Sequence, residues 1–453
     1  MFNNSFDVVV RPFETVKDKA MLVFIDGLID KDLVDRDIIR PLKSPYFDGN
    51  LNLVFKTVFE ETRDVSKFVE FVLAGFTAVF YAGTKKVFLF EFRQWNQRSV
   101  DEPDAEAVIR GPKEGFTENI RSNTALIRRK LKNQRLVIED KTLGRQTSTS
   151  VEIVYIEGIV NKRVLDEIRR RVDKIDTDMI LESGDIEQYI CENVFSPISG
   201  VGLTQKPDVA AAKMLEGRVA ILVDGTPHVL TIPELFIENL HTAEDYYSRP
   251  VFAGAMRVLR CVALFITIFL PGISIAIATF HQEMVPVVFM TSIVVSALRT
   301  PMSLAAEVFV LMLMFELLRE AGTRMPKAVG SAITIVGSLI IGEAAVSAGI
   351  VSEPMVIVVA ITAVTSFMLP NLVEFTLIYR TVFWFLGSVM GLVGVGAGIL
   401  VLLTQLASTD SFGIPILSSF SRQELKDSII RARPNKMVFR PISIAKDNVR
   451  RRR

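Results

Sequence analysis

Glu343 stands in "GSLIIGEAAVSAGIV", residues 337–351, a stretch with no other charged residue. An ionised carboxylate is expensive in lipid hydrocarbon, so this one must face protein, a cation or water. Glu307, inside "MSLAAEVFVLMLM", poses the same question. Ser338 precedes Glu343, and Thr362 and Ser366 lie one helical turn apart before Pro370-Asn371. Carboxylates and hydroxyls in apolar surroundings can line a cation path or pair with neighbouring protein groups. Small residues accompany them at helical spacing, with Gly342 and Gly349 on one stripe and Gly387, Gly391, Gly394 and Gly398 on another. Such stripes let helices pack closely, and a small polar stripe can equally line water; both readings stand. Glu316 reads as structural, with Arg319 and Glu320 one turn away.

The elements that must position these groups are long apolar runs over 261–280, 285–298, 303–320, 329–350, 354–370 and 381–407. All but 285–298 are long enough to cross a bilayer, so an all-α polytopic domain is expected over 251–407. Arg257 and Arg260 before the first run, and Arg319, Arg324 and Lys327 after the third, mark an inner side. "VSEP" at 351–354 carries no cation and fits outside. From 421 onward eleven cations face three acids, so the tail is +8 while the remainder is −7. Five crossings would leave that tail outside, and counting 285–298 as a sixth would move the 319–327 loop outside. Either the short run or the last long run must therefore be broken or re-entrant. Five spans and a short re-entrant element are expected.

The chain has 453 residues, 49% of them hydrophobic, and mean hydropathy is +0.35. The apolar weight lies after residue 250; the first 250 residues are densely charged and contain a repeat. "LVFIDGLIDKDLVD" at 22–35 aligns on "IVYIEGIVNKRVLD" at 153–166, and "LAGFTAVFYAGTKKVF" at 73–88 on "LEGRVAILVDGTPHVL" at 215–230. Matches in the same order indicate a duplicated unit. Each unit reads as α/β, with a hairpin at Asp224-Gly225 and a helix from Pro207 to a stop at Gly217. The expected organisation is a lobe over 1–96, a connector with a basic helix and strand pair over 97–152, a second lobe over 153–250, the membrane domain, and a basic tail over 408–453. Such lobes form a rigid cytoplasmic platform or bracket a ligand cleft.

In the connector, "GPKEGFTENIRSNTALIRRKLK" lacks the Gly-Lys-Ser/Thr of a phosphate loop. Its helix buries Ile120, Thr124, Ile127 and Leu131 and leaves Arg121, Arg128, Arg129 and Lys132 as a solvated basic face. Cys191 and Cys261 form no framework, and the amino terminus has no cleavable signal pattern. His228, His241 and His281 are scattered without ligand spacing. No enzyme, metal, other cofactor or nucleic-acid partner is expected. A secondary transporter is the competing class, yet the repeat lies in the soluble half rather than the membrane half.

"LVFIDGLIDKDLV", "YIEGIVNKRVLDEIRRRVDKIDTDMILESGDIEQYI", "KPDVAAAKMLEGRVAILVDGTP", "AEDYY" and "SFGIPILSSF" resemble blocks of the GerA-type spore germination receptor A subunits, as does the connector block, from about residue 20 to about 420. The resemblance implies a multi-pass protein of the inner spore membrane in Gram-positive endospore formers, with its amino-terminal domain in the spore core. It implies nutrient sensing with a transporter-like B subunit and a lipoprotein C subunit, and a homo-oligomeric ring like a ligand-gated ion channel. A related branch travels with the dipicolinate-release machinery, which keeps a channel or transporter-like component there as the alternative. No catalytic residue carries over.

Overall fold

The computed structural model describes residues 2, 5–47, 58–82, 84–92, 106, 108–192, 196–324 and 340–417, and in the tail 427–429, 431–433, 435, 437–441, 443–445 and 450. Two five-stranded sheets carry the amino-terminal half. β1 (Val8–Glu14), β2 (Lys19–Ile25), β3 (Val58–Thr62), β4 (Thr77–Tyr81) and β5 (Val87–Phe90) run in the order β1-β2-β4-β5-β3. β6 (Leu136–Leu143), β7 (Thr149–Ile156), β8 (Gly202–Thr204), β9 (Val219–Val223) and β10 (Val229–Ile232) run β6-β7-β9-β10-β8. Position for position, these are the same order. Every neighbouring pair is antiparallel, so each lobe is a helix-covered antiparallel sheet, without parallel βαβ crossovers. β6 and the start of β7, which the sequence puts in a connector, are the first strands of the second sheet.

Aligned residues play matching local roles. Gly27 and Gly158 both adopt φ +81°, where only glycine is at ease. Asp30 and Asn161 then cap the helices that follow, accepting hydrogen bonds from first-turn amides. Those helices are α1, which runs over 31–43 with a π-helical centre at Asp35–Ile39, and α4 (Lys162–Val172). α2 (Val65–Leu73) ends at Gly75 with φ +90°, and α6 (Pro207–Leu215) at Gly217 with φ +103°.

α3 (Ile120–Lys130) lies between the lobes. Ile120, Leu126 and Ile127 join the core of the second lobe, while Ala125 joins that of the first. Being gripped on two sides changes its polar face. The expected solvated arginine Arg128 is 1% exposed and donates to the Asp7 carboxylate at 2.8 and 2.7 Å and to Ser5 Oγ at 3.0 Å. The edge strands β1 and β6 meet there, with Phe6 N donating to Ile138 O at 3.0 Å. α5 (Ser183–Ile190) covers the other side of the second sheet with α4.

After a short α7 (Ala243–Tyr247) the chain enters α8 (Pro250–Phe280), α9 (Val287–Ala297), α10 (Leu304–Arg324), a π-helical turn Ile340–Ala344 continued by α11 (Ala345–Ser347), α12 (Glu353–Ser366) and α13 (Val373–Ser408). Among the described residues, two apolar helical stretches could cross a membrane by length and composition, Pro250–Phe280 and Pro370–Ser408. The second is not one rod. Gly391 has φ 61° and ψ −148°, and the run folds back there. Tyr379 donates to Gln405 Oε1 at 2.8 Å, and Phe375, Tyr379 and Phe383 share a core with Val395, Leu402 and Leu406. Unbroken, a helix would hold Tyr379 and Gln405 about 39 Å apart. The arms, 373–390 and 392–408, are each about 26 Å long.

The fold-back decides where the chain ends up. α8 starts beside the soluble domain and runs away from it; the first arm of α13 runs alongside, with Phe375 on Phe236 near the soluble domain and Gly391 against Phe280 at the far end. The second arm returns. Ser411, in the small hairpin of β11 (Asp410–Ser411) and β12 (Ile414–Pro415), then donates to Gly200 O at 2.7 Å. The tail, expected as a basic polar segment, docks on the second lobe: Ile444 is fully buried in its core beside Phe412 and Ile414, and Asn161 donates to Ile444 O at 3.1 Å.

Candidate functional site

The polar groups singled out in the apolar half do not converge. Glu307, near the start of α10, is fully buried and accepts from Thr300 Oγ1 at 2.5 Å, Ser352 N at 2.9 Å and Ser352 Oγ at 2.6 Å. It staples the far ends of α10 and α12 together and is closed to water. Thr362 and Ser366 are buried on α12 and spend their hydroxyls on Val358 O and Ala363 O of their own helix. Ser338 lies outside the described residues. Glu343 is exposed on the surface of the chain, with Gly342 beside it also exposed.

The glycines divide by role. Gly387 sits on Gly272 of α8, where an added Cβ would lie 3.0 Å from Gly272 Cα. Gly394 and Gly398 face the opposite arm of α13; a Cβ on them would meet Leu386 O at 2.7 Å and Phe383 Cε1 at 2.8 Å. Gly391 is the turn itself rather than a packing position. Gly349 adopts φ +64° in a turn against Arg299 O, and Gly342 has open space around its Cβ position, so neither packs a helix in this chain.

Two features escape sequence reasoning. Arg380, on the first arm of α13, is 3% exposed and ion-paired with Glu316 of α10, which also pairs with Arg319. A lone cation in an apolar run was the available signal. The Thr267 hydroxyl of α8 donates to Thr365 Oγ1 of α12 at 2.9 Å, a polar contact between the two helices.

The densest charged cluster lies where the soluble domain meets α8. Asp245 of α7 is 3% exposed and accepts from Arg260 at 2.7 and 3.1 Å and from Arg257 at 3.4 Å. Burial raises its carboxyl, but the Arg260 hydrogen bonds and charge outweigh that and hold it below its ordinary value. His241 is lowered to about 3, by burial first and then by Arg257. It is neutral at physiological pH, and its Nε2 must carry the proton to donate to Ser428 O at 2.7 Å.

A profile of the "Bacillus/Clostridium GerA spore germination protein" family matches residues 1–443. Spore germination protein KA of Bacillus subtilis (strain 168) is 37% identical, covering 98% of this chain and 85% of its own length. Spore germination protein B1 of the same organism is 35% identical, covering 97% and 94%. The crystal structure of the N-terminal domain of the A subunit of the Bacillus megaterium spore germinant receptor GerK3 is 31% identical and superposes with a TM-score of 0.41 over 52% of this chain and 91% of that one. With the profile running through both sheets and every apolar helix, the chain belongs to the Bacillus/Clostridium GerA spore germination protein family.

Proposed function

We propose that this chain is the membrane subunit of a nutrient-sensing germination receptor and assembles with copies of itself into a ligand-gated cation channel. Family membership supplies the role in spore germination. The observation that carries the channel reading is Glu343, exposed on a helical turn within an apolar region. A carboxylate on the outer surface of one protomer is costly against lipid and favourable against a hydrated path shared between protomers. Transporter-like B and lipoprotein C subunits are the proposed partners, with the nutrient signal reaching the helices through the soluble domain.

The topology of this reading is multi-pass, in the inner spore membrane, with the soluble domain in the spore core. α8, α10, α12 and the two arms of α13 supply five crossings among the described residues. This reading requires a sixth in the chain between Arg324 and Ile340, which lies outside them, and α9 remains at the far side without crossing. Six crossings return the tail to the side of the soluble domain, as its positive charge requires.

Vesicles carrying the full-length chain, alone and with its partners, are expected to release K⁺, and Glu343→Gln to change the rate or the K⁺/Na⁺ preference. Release no faster than from empty vesicles would remove the channel reading. A channel or transporter-like component of the dipicolinate-release machinery, the other branch that the family resemblance implies, is the second reading. Release of dipicolinate in place of K⁺ from the same vesicles would select it.

A further inference from the structure

Asp427, Ser428 and Arg431 of the tail meet the corner between α7 and α8. Arg431 is 9% exposed and donates to three carbonyls at the end of α7, those of Asp245, Tyr246 at 2.7 Å and Ser248 at 2.9 Å. A helix of five residues leaves its last carbonyls without helical partners; here they are capped by a side chain from 183 or more residues away. On the other side of the corner, Arg257 of α8 donates to Ser428 O at 3.2 Å and to the carbonyl of Asp427. His241 closes the contact through Ser428 O.

This contact is poorly satisfied for one so deeply buried. Among the described residues, Arg257 Nη2, Arg431 Nε and Ser428 Oγ are buried without a hydrogen-bond partner, and the Arg257 and Arg431 guanidiniums share the Tyr246 ring at 5.3 Å. Three guanidinium groups share the corner: Arg257 and Arg260 pair with the buried Asp245 carboxylate, Arg257 also with Asp427, while Arg431 reaches the backbone carbonyl of Asp245 and not its carboxylate. Each buried polar atom left unpaired weakens a contact, so the segment is held by many bonds but at small net gain. The Asp7–Arg128 contact, with both carboxylate oxygens and three guanidinium nitrogens engaged, is the contrast within the same chain.

The geometry points to a releasable latch: Asp427, Ser428 and Arg431 hold the α7–α8 corner in its resting position, and their detachment frees α8 to move relative to the soluble domain. The latch rests on the channel reading only for what α8 does next. The α8 end it holds leads directly to Gly272 and its close contact with α13, so a shift there reaches the apolar bundle.

The test uses the full-length chain in vesicles of anionic and zwitterionic phospholipid, with amide hydrogen exchange and K⁺ release as readouts. Arg431→Ala is expected to speed exchange over 243–260 at least tenfold while β9 exchanges as before, and to raise resting K⁺ release. In a background lacking Cys191 and Cys261, His241→Cys and Ser428→Cys joined by a short bismaleimide should slow both below the unjoined protein. Unchanged corner exchange in Arg431→Ala overturns the latch. If Arg431→Ala loosens β9 as well, the joined protein decides, and exchange equal to the unjoined form overturns the latch. Altered exchange with no K⁺ release in any form keeps the latch and rejects the channel.

Discussion

Tyr379 and Gln405, 26 positions apart in one apolar run, are hydrogen-bonded at 2.8 Å across a hairpin of helices. The turn between them depends on Gly391, whose φ and ψ suit no other residue and whose Cβ position is 3.1 Å from Phe280 and His281. Gly391→Val is expected to lower stability by about 1–3 kcal/mol from backbone strain, with side-chain crowding added. Tyr379→Phe, which loses one hydrogen bond, should lose about 1 kcal/mol. Thermal unfolding in detergent checks the order; a larger loss for Tyr379→Phe would contradict the fold-back.

The Gly272–Gly387 contact sets the approach of α8 and α13. Gly387→Leu would drive a side chain into the α8 backbone, where nothing flexible can yield. Little folded protein is expected in membranes, against near-normal amounts for a bulky substitution at exposed Gly396, whose Cβ position is open. Equal recovery of the two variants, measured by quantitative blotting, would count against the packing.

Asp7→Ala leaves Arg128 charged, buried and short of its carboxylate. A loss of about 3–5 kcal/mol is expected, as for other broken buried pairs. Chemical denaturation followed by exchange of α3 amides measures it, and a loss under 1 kcal/mol would show that water reaches the site.

Glu152, on β7 and fully buried, is pushed by burial from its ordinary 4.5 up to about 7, against the opposing pull of Thr124 and Arg121. The folded state therefore holds a proton that the unfolded state has released between those values. Stability should fall as pH rises through that window, by roughly 1.4 kcal/mol per unit at most, and level off above it. Glu152→Gln is expected to gain roughly 2–3 kcal/mol at pH 8 and almost nothing at pH 4.5. Denaturation at the two pH values distinguishes this from a uniform shift.

What could be read from the chain follows from the range over which each cause acts. Gly27, Asp30, Asn161 and Gly217 determine turns and caps through neighbours a few residues away, so the repeated pattern of strands and helices is visible in order. The fold-back at Gly391 is hidden because apolar residues continue on both sides and glycines recur throughout the run; only the charge of the tail demanded a break. Arg128 looks solvated because its partner, Asp7, lies 121 positions away. Glu307 looks like a lone acid because its partners Thr300 and Ser352 flank separate helices. Gly342 and Glu343 are exposed, with open space at the Gly342 Cβ position, so no described neighbour in their own chain gives them a role.

The second lobe closes its interior over Phe412, Ile414 and Ile444. A ribosome must therefore deliver every apolar helix before that lobe can reach its final packing. Maturation of the second lobe thus waits on synthesis of the whole apolar half, and a chain cut short after α13 would leave a lobe with an open seam for quality-control proteases to find.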